Sequence, residues 1–242
     1  MEPPLLVLVP GLLCDDSVWQ PQIRGLAGSC HCWVAPNEGH DSLPALAAEL
    51  LRRAPAERFA LAGHSMGGRI ALEVMRQAPH RVQRLALLDT GWQPRPGGEA
   101  GEAERQQRLA LLAAARETGM GEVARRWLPG MVRAAAHGSA AYAQMQDMVQ
   151  RRTPGQFAAQ VQALLDRPDA SDVLARVACP TLILCGEQDQ WSPPDRHAAM
   201  ARLIPGARLV LVPECGHMST LEQPAAVTAA LADWLTTPLP PC

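Results

Sequence analysis

Lysine is absent from this chain of 242 residues, so all 22 basic side chains are arginine. Without a lysine amine the chain has no P-loop lysine, no Schiff-base lysine and no Ser-Lys dyad. An excess of one charge sign is also missing, because the formal net charge is only -2. This balance gives no electrostatic basis for binding nucleic acid or an anionic membrane surface.

Long apolar runs are missing as well. The run Leu5–Val9 stops at Pro10, and the preceding Met1–Pro4 contains no basic residue. We therefore expect neither a signal peptide nor a membrane-spanning helix.

The seven cysteines are odd in number, and their spacing is not that of a disulfide framework. This pattern favours reduced thiols and a cytoplasmic protein. Cys30-His31-Cys32 is the one cluster that suggests a metal, but no second pair lies at zinc-finger spacing. We therefore predict no metal site.

Short apolar segments of strand length alternate with helical patterns at both ends of the chain. The predicted strands are 5–9, 32–35, 58–62, 84–88, 181–185 and 207–212. Such alternation indicates βαβ units and a parallel sheet. Between the fourth and fifth strands the sequence instead shows helical patterns near 99–118, 121–133, 140–151 and 154–166. We therefore predict one α/β core over 1–91 and 178–242, with a helical cap inserted over 92–177.

The stretch from Phe59 to Met75 is the most informative part of the sequence. A buried strand pattern is followed by Gly63-x-Ser65-x-Gly67 and then by a helical pattern. In this setting the motif predicts a nucleophile elbow, a sharp turn that holds Ser65 clear of the backbone at a helix N-terminus. The alternative is a tight turn without catalytic purpose.

A nucleophilic serine needs a base and a group that orients the base. Parallel sheets gather such groups at the carboxyl ends of their strands. His217, after the last strand, is the predicted base, and Asp189, after the preceding strand, is the predicted acid. Asp89 ends a neighbouring strand and is the rival acid, unless it merely caps its own turn.

The remaining six histidines have simpler interpretations. His64 lies within the elbow, where we expect its ring to point away from Ser65, and the others fall on predicted loops or exposed helix faces, including His197. Gly11 leaves room for the N–H of Leu12 to face the reacting centre. With the N–H of Met66, this amide would form an oxyanion hole.

The order Ser65, Asp189, His217 resembles the α/β-hydrolase superfamily, as do the elbow and Gly216-His217. Further matching motifs are Gly186-x-x-Asp189 followed by Pro193, Ile204-Pro205-x-Ala207, and Glu222-x-Pro224. The resemblance covers Leu5 to Leu235 and is greatest to small bacterial esterases, enol-lactonases and acyl-carrier methyl-ester esterases.

This resemblance implies an α/β-hydrolase fold with about six mainly parallel strands and an inserted helical cap. Two features depart from the family pattern. Pro10-Gly11 stands where many members have His-Gly, and the two-stranded start that usually precedes this strand is missing. Backbone donation from Leu12 survives the first change, although a side chain that shapes the loop is lost.

The implied activity is hydrolysis of a small or medium carboxylic ester, thioester or lactone through an acyl-enzyme. The expected partner is a small-molecule acyl substrate, and no metal or organic cofactor is implied. The same triad also serves acyltransferases and C–C lyases, and a ligand receptor with little turnover is an alternative from another class. The sequence does not indicate an oligomeric state.

The cap helices should bound an apolar pocket. Large or adaptable side chains on these alanine-rich helices are the candidates: Trp92, Trp127, Met131, Met145 and Met148. A methionine stripe at helical spacing is more often part of a core than of a pocket, so this alternative stays open.

Overall fold

A computed structural model describes residues 3–239 of the chain. Within these residues six strands form one sheet in the order β2-β1-β3-β4-β5-β6, and every neighbouring pair is parallel. The strands are β1 (Leu5–Val9), β2 (His31–Val34), β3 (Phe59–His64), β4 (Val82–Leu88), β5 (Thr181–Gly186) and β6 (Arg208–Val212). The predicted parallel sheet is confirmed. An unstructured tail predicted for the proline-rich 238–242 lies mostly outside the described residues.

Eleven α-helices accompany the sheet in the described part of the chain. They are α1 (Gln20–Gly25), α2 (Leu43–Arg53), α3 (Met66–Gln77), α4 (Gly98–Thr118), α5 (Met120–Trp127), α6 (Ala140–Gln150), α7 (Pro154–Leu165), α8 (Ser171–Leu174), α9 (Pro194–Leu203), α10 (Ser219–Glu222) and α11 (Pro224–Thr236). None of these helices is both long enough and apolar enough to cross a membrane.

Both faces of the sheet are covered, which explains the continuous apolar strands. Alternate residues of β1 point to opposite sides: Val7 belongs to the apolar cluster that includes residues of α2, α3 and α9, whereas Leu8 belongs to the cluster that includes residues of α1 and α11. The two apolar clusters fix the sheet between two helical layers. The loops at the carboxyl ends of the strands are thereby held in place.

The chain between β4 and β5 forms helices α4 to α8, and the described residues there contain no strand. The predicted helix over 121–133 is shorter than expected, because α5 ends at Trp127 and a 3-10 turn follows at Leu128–Gly130. Pro129 supplies no backbone N–H and Gly130 is a poor helix former, so the helical ladder stops there.

Candidate active site

Ser65 lies in a strained turn between β3 and α3. Its φ of 55° and ψ of -116° belong to a region that side-chain-bearing residues seldom adopt. Close packing on both sides enforces this conformation: a methyl group on Gly63 would lie 2.3 Å from the carbonyl oxygen of Gly67, and one on Gly67 would lie 2.1 Å from that of Val9. Only glycine fits at either position, so the elbow motif has a steric cause.

Three side chains that the sequence places at strand ends meet here. His217 Nε2 lies 2.8 Å from Ser65 Oγ, and His217 Nδ1 lies 2.8 Å from Asp189 Oδ2. The second oxygen of Asp189 accepts the backbone N–H groups of Trp191 and Ser192 at 2.9 and 2.8 Å. The carboxylate therefore has fixed donors on both oxygens, and the imidazole is oriented toward the serine.

The charges in this chain of contacts reinforce one another. Burial alone would lower the pKa of His217, but the charge and hydrogen bond of Asp189 outweigh burial and raise that pKa above 6.5. Burial likewise acts to raise the pKa of Asp189, yet the charge and hydrogen bond of His217 and the backbone N–H of Ser192 bring it below 3.8. Asp189 is thus ionised at neutral pH, and His217 is a stronger base than a free imidazole.

The loop that carries His217 is held by Glu222 on α10. Its carboxylate accepts the backbone N–H groups of Gly216, Met218 and Arg133, each at 3.1 Å. The N–H of His217 itself donates to the carbonyl of Met131 at 2.9 Å. The helical segment between β4 and β5 therefore helps to position the imidazole, a role that Glu222-x-Pro224 alone does not reveal.

His64 directs its ring to the backbone of the His217 loop and not to the Ser65 hydroxyl. Its Nε2 lies 2.8 Å from the carbonyl oxygen of His217. Complete burial lowers the pKa of His64 to about 4, and the nearby His217 acts in the same direction. The neutral ring can therefore donate its Nε2–H to that carbonyl and hold the loop from the other side.

The prediction for His197 was wrong, because this residue is fully buried. Its Nε2 accepts the N–H of Thr90 at 2.9 Å, and burial lowers its pKa to about 4. The missed signal is helical spacing, since Met200 on α9 and Ile204 directly after it follow at three and seven residues and are also buried.

Asp89 lies next to Asp189, with one carboxylate oxygen of each within 4.8 Å of the other, and makes no hydrogen bond to His217. Its oxygens accept the N–H of Gly186 at 3.1 Å and contact the hydroxyl of Ser219, and one lies 3.5 Å from His64 Nε2. Burial, followed by the charge of Asp189, raises the pKa of Asp89 to about 8. Asp89 is therefore mostly protonated at neutral pH.

The two amides expected to form an oxyanion hole both border the cavity next to Ser65. Among residues 3–239, neither the N–H of Leu12 nor that of Met66 has a hydrogen-bond acceptor. The loop that contains Leu12 is held by Asn37 Nδ2, which donates to Gly11 O at 2.7 Å, and by Gln160 Oε1, which accepts Leu13 N–H at 2.9 Å. The Leu12 amide is thus free and rigidly placed.

A cavity of about 610 Å³ opens beside Ser65 and His217. Of the five predicted lining residues, Trp127 and Met131 border it. The other three predicted lining residues do not border it. Trp92 packs in the cluster on the α3 side of the sheet, and Met145 and Met148 turn into the cluster beneath α1 and α11. The two methionines lie three residues apart on α6, so the same helix face buries both.

The sequence analysis did not predict the positively charged lining of this cavity. Five arginines line it: Arg69, Arg95, Arg108, Arg167 and Arg196. They come from α3, from the loop after β4, from α4, from the loop after α7 and from α9. No local pattern links such distant positions, so the cluster becomes visible only in the folded chain.

Comparisons with known proteins agree with this architecture. The chain is 28% identical over 234 residues to the pimeloyl-[acyl-carrier protein] methyl ester esterase of Nitrosomonas europaea, with 91% of each chain covered. It is 27% identical to the 2-succinyl-6-hydroxy-2,4-cyclohexadiene-1-carboxylate synthase of Serratia proteamaculans, covering 97% of this chain and 94% of that one.

Among solved structures, a thermophilic esterase from Thermogutta terrifontis with bound malate superimposes with a TM-score of 0.86 at 27% identity. The match covers 97% of this chain and 90% of the esterase. Residues 6–231 match the alpha/beta hydrolase family. With its parallel sheet, the elbow after β3 and homologues that are hydrolases, the chain belongs to the alpha/beta hydrolase family and has its fold.

Proposed function

We propose that this protein is a serine hydrolase that cleaves a small or medium carboxylic ester, thioester or lactone. The observation that carries the proposal is the continuous contact from Ser65 Oγ through the His217 ring to the Asp189 carboxylate, 2.8 Å at each step. A serine hydroxyl becomes a useful nucleophile when an oriented base can take its proton.

In the first half of the reaction, Ser65 Oγ attacks the substrate carbonyl while its proton passes to His217 Nε2. Asp189 holds the opposite ring nitrogen and stabilises the imidazolium that forms. The N–H groups of Leu12 and Met66 then donate to the oxyanion. His217 returns its proton to the leaving oxygen or sulfur, and the acyl group stays on Ser65.

In the second half, a water molecule replaces the leaving group. His217 accepts its proton as the water attacks the acyl-enzyme carbonyl, and then protonates Ser65 Oγ as the acid departs. Helices α4 to α7 would act as the cap, because Trp127 and Met131 from this segment border the cavity. The cap would thereby limit the size of the acyl or alcohol group.

Replacement of Ser65 by alanine tests the proposal directly. Loss of one triad member costs on the order of 10⁴-fold or more in kcat. We expect Ser65→Ala to lose this much activity on 4-nitrophenyl butyrate, with an unchanged circular dichroism spectrum. The wild type should release many equivalents of nitrophenolate, whereas a ligand receptor would stop near one. A mutant with a tenth of the wild-type rate would refute Ser65 as the nucleophile.

A further inference from the structure

The cavity beside Ser65 holds an excess of positive charge. Its five arginines face two acidic residues, Glu104 and Asp89. The pKa of Asp89 is raised to about 8, chiefly by burial, so Glu104 supplies the one full negative charge at neutral pH. Four positive charges in the lining therefore have no counter-charge there.

The arginines divide into a paired and an unpaired set. Glu104 is shared by Arg108 at 2.9 Å and by Arg167, whose two contacts are both 2.7 Å. Arg95 has no carboxylate partner within residues 3–239 and donates to the backbone carbonyls of Gly101 at 3.0 Å and Leu165 at 3.3 Å. Arg69 and Arg196 likewise have no carboxylate partner among these residues. Their guanidinium groups donate to backbone carbonyls, Arg69 to that of Gln93 at 2.8 Å and Arg196 to that of Trp191 at 3.3 Å.

Arg69 and Arg196 approach one another across Gly91. A methyl group on Gly91 would lie 3.0 Å from Arg69 Nη2 and 3.6 Å from Arg196 Nη1. The pKa of Arg69 is lowered to about 9, chiefly by burial and in addition by the charges of Arg167, Arg196 and Arg108. Holding these positive guanidinium groups close together costs electrostatic free energy, and a bound negative group would offset that cost.

The position of Arg69 relates this charge to the reacting centre. Arg69 follows Ser65 by four residues, and α3 begins directly after Ser65. The N–H of Arg69 donates to the carbonyl of Ser65 at 3.4 Å, and both residues line the same cavity. A negative group held by Arg69 would therefore share that cavity with a carbonyl at Ser65.

We propose that the ester cleaved at Ser65 carries a carboxylate, and that Arg69 and Arg196 bind it. The guanidinium fork matches the two oxygens of a carboxylate and pairs with them in a bidentate manner. This inference rests on the proposed hydrolase function. The carboxylate belongs either to the acyl part or to the alcohol part of the ester, and substrate choice distinguishes the two.

Paired substrates separate charge from size. For the acyl part, the 4-nitrophenyl monoesters of succinate, glutarate and adipate are compared with their terminal amides, which are neutral and nearly isosteric. For the alcohol part, the butyrate ester of 4-hydroxybenzoate is compared with that of 4-hydroxybenzamide. Enzyme-free hydrolysis is subtracted, because neighbouring carboxylates accelerate it.

We expect kcat/KM of the wild type to favour the charged partner by roughly 10- to 100-fold in one of these series, the range of a charged hydrogen bond. The preference should shrink as salt is added, because salt screens the attraction. Equal rates for charged and neutral partners in both series would overturn the inference and leave the hydrolase function intact. If no ester is turned over, the proposed function fails and the inference fails with it.

Variants then test the two arginines. Arg69→Gln and Arg196→Gln should each reduce the ratio of charged to neutral kcat/KM by roughly 10-fold or more. The control is Arg52→Gln on α2, an exposed arginine that pairs with Glu49 and does not line the cavity. It should leave the ratio unchanged. A ratio that is unchanged in both cavity variants, each with a wild-type melting profile, would remove Arg69 and Arg196 from substrate binding.

Discussion

Asp89 and Asp189 lie at the ends of neighbouring strands, but their pKa values shift in opposite directions. They follow the neighbouring strands β4 and β5, and both are buried. One carboxylate oxygen of each lies within 4.8 Å of the other, with Cys185 Sγ beside them. Burial acts to raise the pKa of both carboxyl groups. The pKa of Asp89 is indeed raised, to about 8, whereas that of Asp189 is lowered.

The difference lies in their partners. Asp189 accepts two backbone N–H groups and faces the ring of His217, which would become positive in the proposed reaction. Asp89 meets the Ser219 hydroxyl and a single N–H group, together with His64, which burial keeps neutral. Two adjacent carboxylates cannot both ionise cheaply in a buried site. Asp189, which has two backbone N–H donors and the His217 ring as partners, is therefore the carboxylate that ionises.

Of the two carboxylates, Asp189 has the larger expected effect, measured in the variant Asp189→Asn. An amide at this position can no longer stabilise the imidazolium and favours the wrong ring tautomer, so kcat on 4-nitrophenyl butyrate should fall by about 10⁴-fold. Steady-state kinetics measure the effect, and circular dichroism shows whether the fold is kept. Retention of more than a hundredth of the activity would remove Asp189 from the triad.

The dependence of kcat/KM of the wild type on pH should reflect the contact between Asp189 and His217. Burial lowers and Asp189 raises the pKa of His217, and the net shift is upward from 6.5. Because only the neutral imidazole accepts the serine proton, kcat/KM should fall about tenfold per pH unit below this pKa. Rates from pH 5 to 9 should therefore give a half-maximal point above pH 6.5. A half-maximal point well below 6.5 would mean that Asp189 does not stabilise the charged ring.

The smallest expected effect comes from Asp89→Asn. At neutral pH this change replaces a protonated carboxyl by a neutral amide of the same shape, so little electrostatic energy is lost. We expect kcat to fall by less than about 10-fold, since only hydrogen bonds that are neutral on both sides are exchanged. Measured on the same ester as Asp189→Asn, a reversed ranking would give the orienting role to Asp89.

Strand ends and elbow residues were predictable because their causes are local. Gly63 and Gly67 are required by contacts within a few residues of Ser65 or with β1, and short sequence motifs record such needs. Gly186 before Asp189 similarly favoured Asp189 over Asp89. The structure brings Ser65, Asp189 and His217 within hydrogen-bonding distance, in agreement with those patterns.

Other features depend on tertiary packing. Met131 and Met145 have the same side chain, yet only Met131, which follows the 3-10 turn after α5, borders the cavity, whereas Met145 on α6 is buried in an apolar cluster. The convergence of Arg69 and Arg196 likewise joins α3 to α9 across more than half the chain. Neither arrangement leaves a periodic signal in the sequence.

The most direct measurement is covalent labelling of the nucleophile with diethyl 4-nitrophenyl phosphate. Ser65 Oγ would form a bond to phosphorus as its proton passes to His217 and 4-nitrophenolate leaves. Trypsin releases Ser65 in the peptide Phe59–Arg69. We expect one nitrophenolate per chain, complete loss of esterase activity, and one diethylphosphoryl group on Ser65 by tandem mass spectrometry. Inactivation with the label on another residue, or continued turnover by a chain fully labelled at Ser65, would contradict the account.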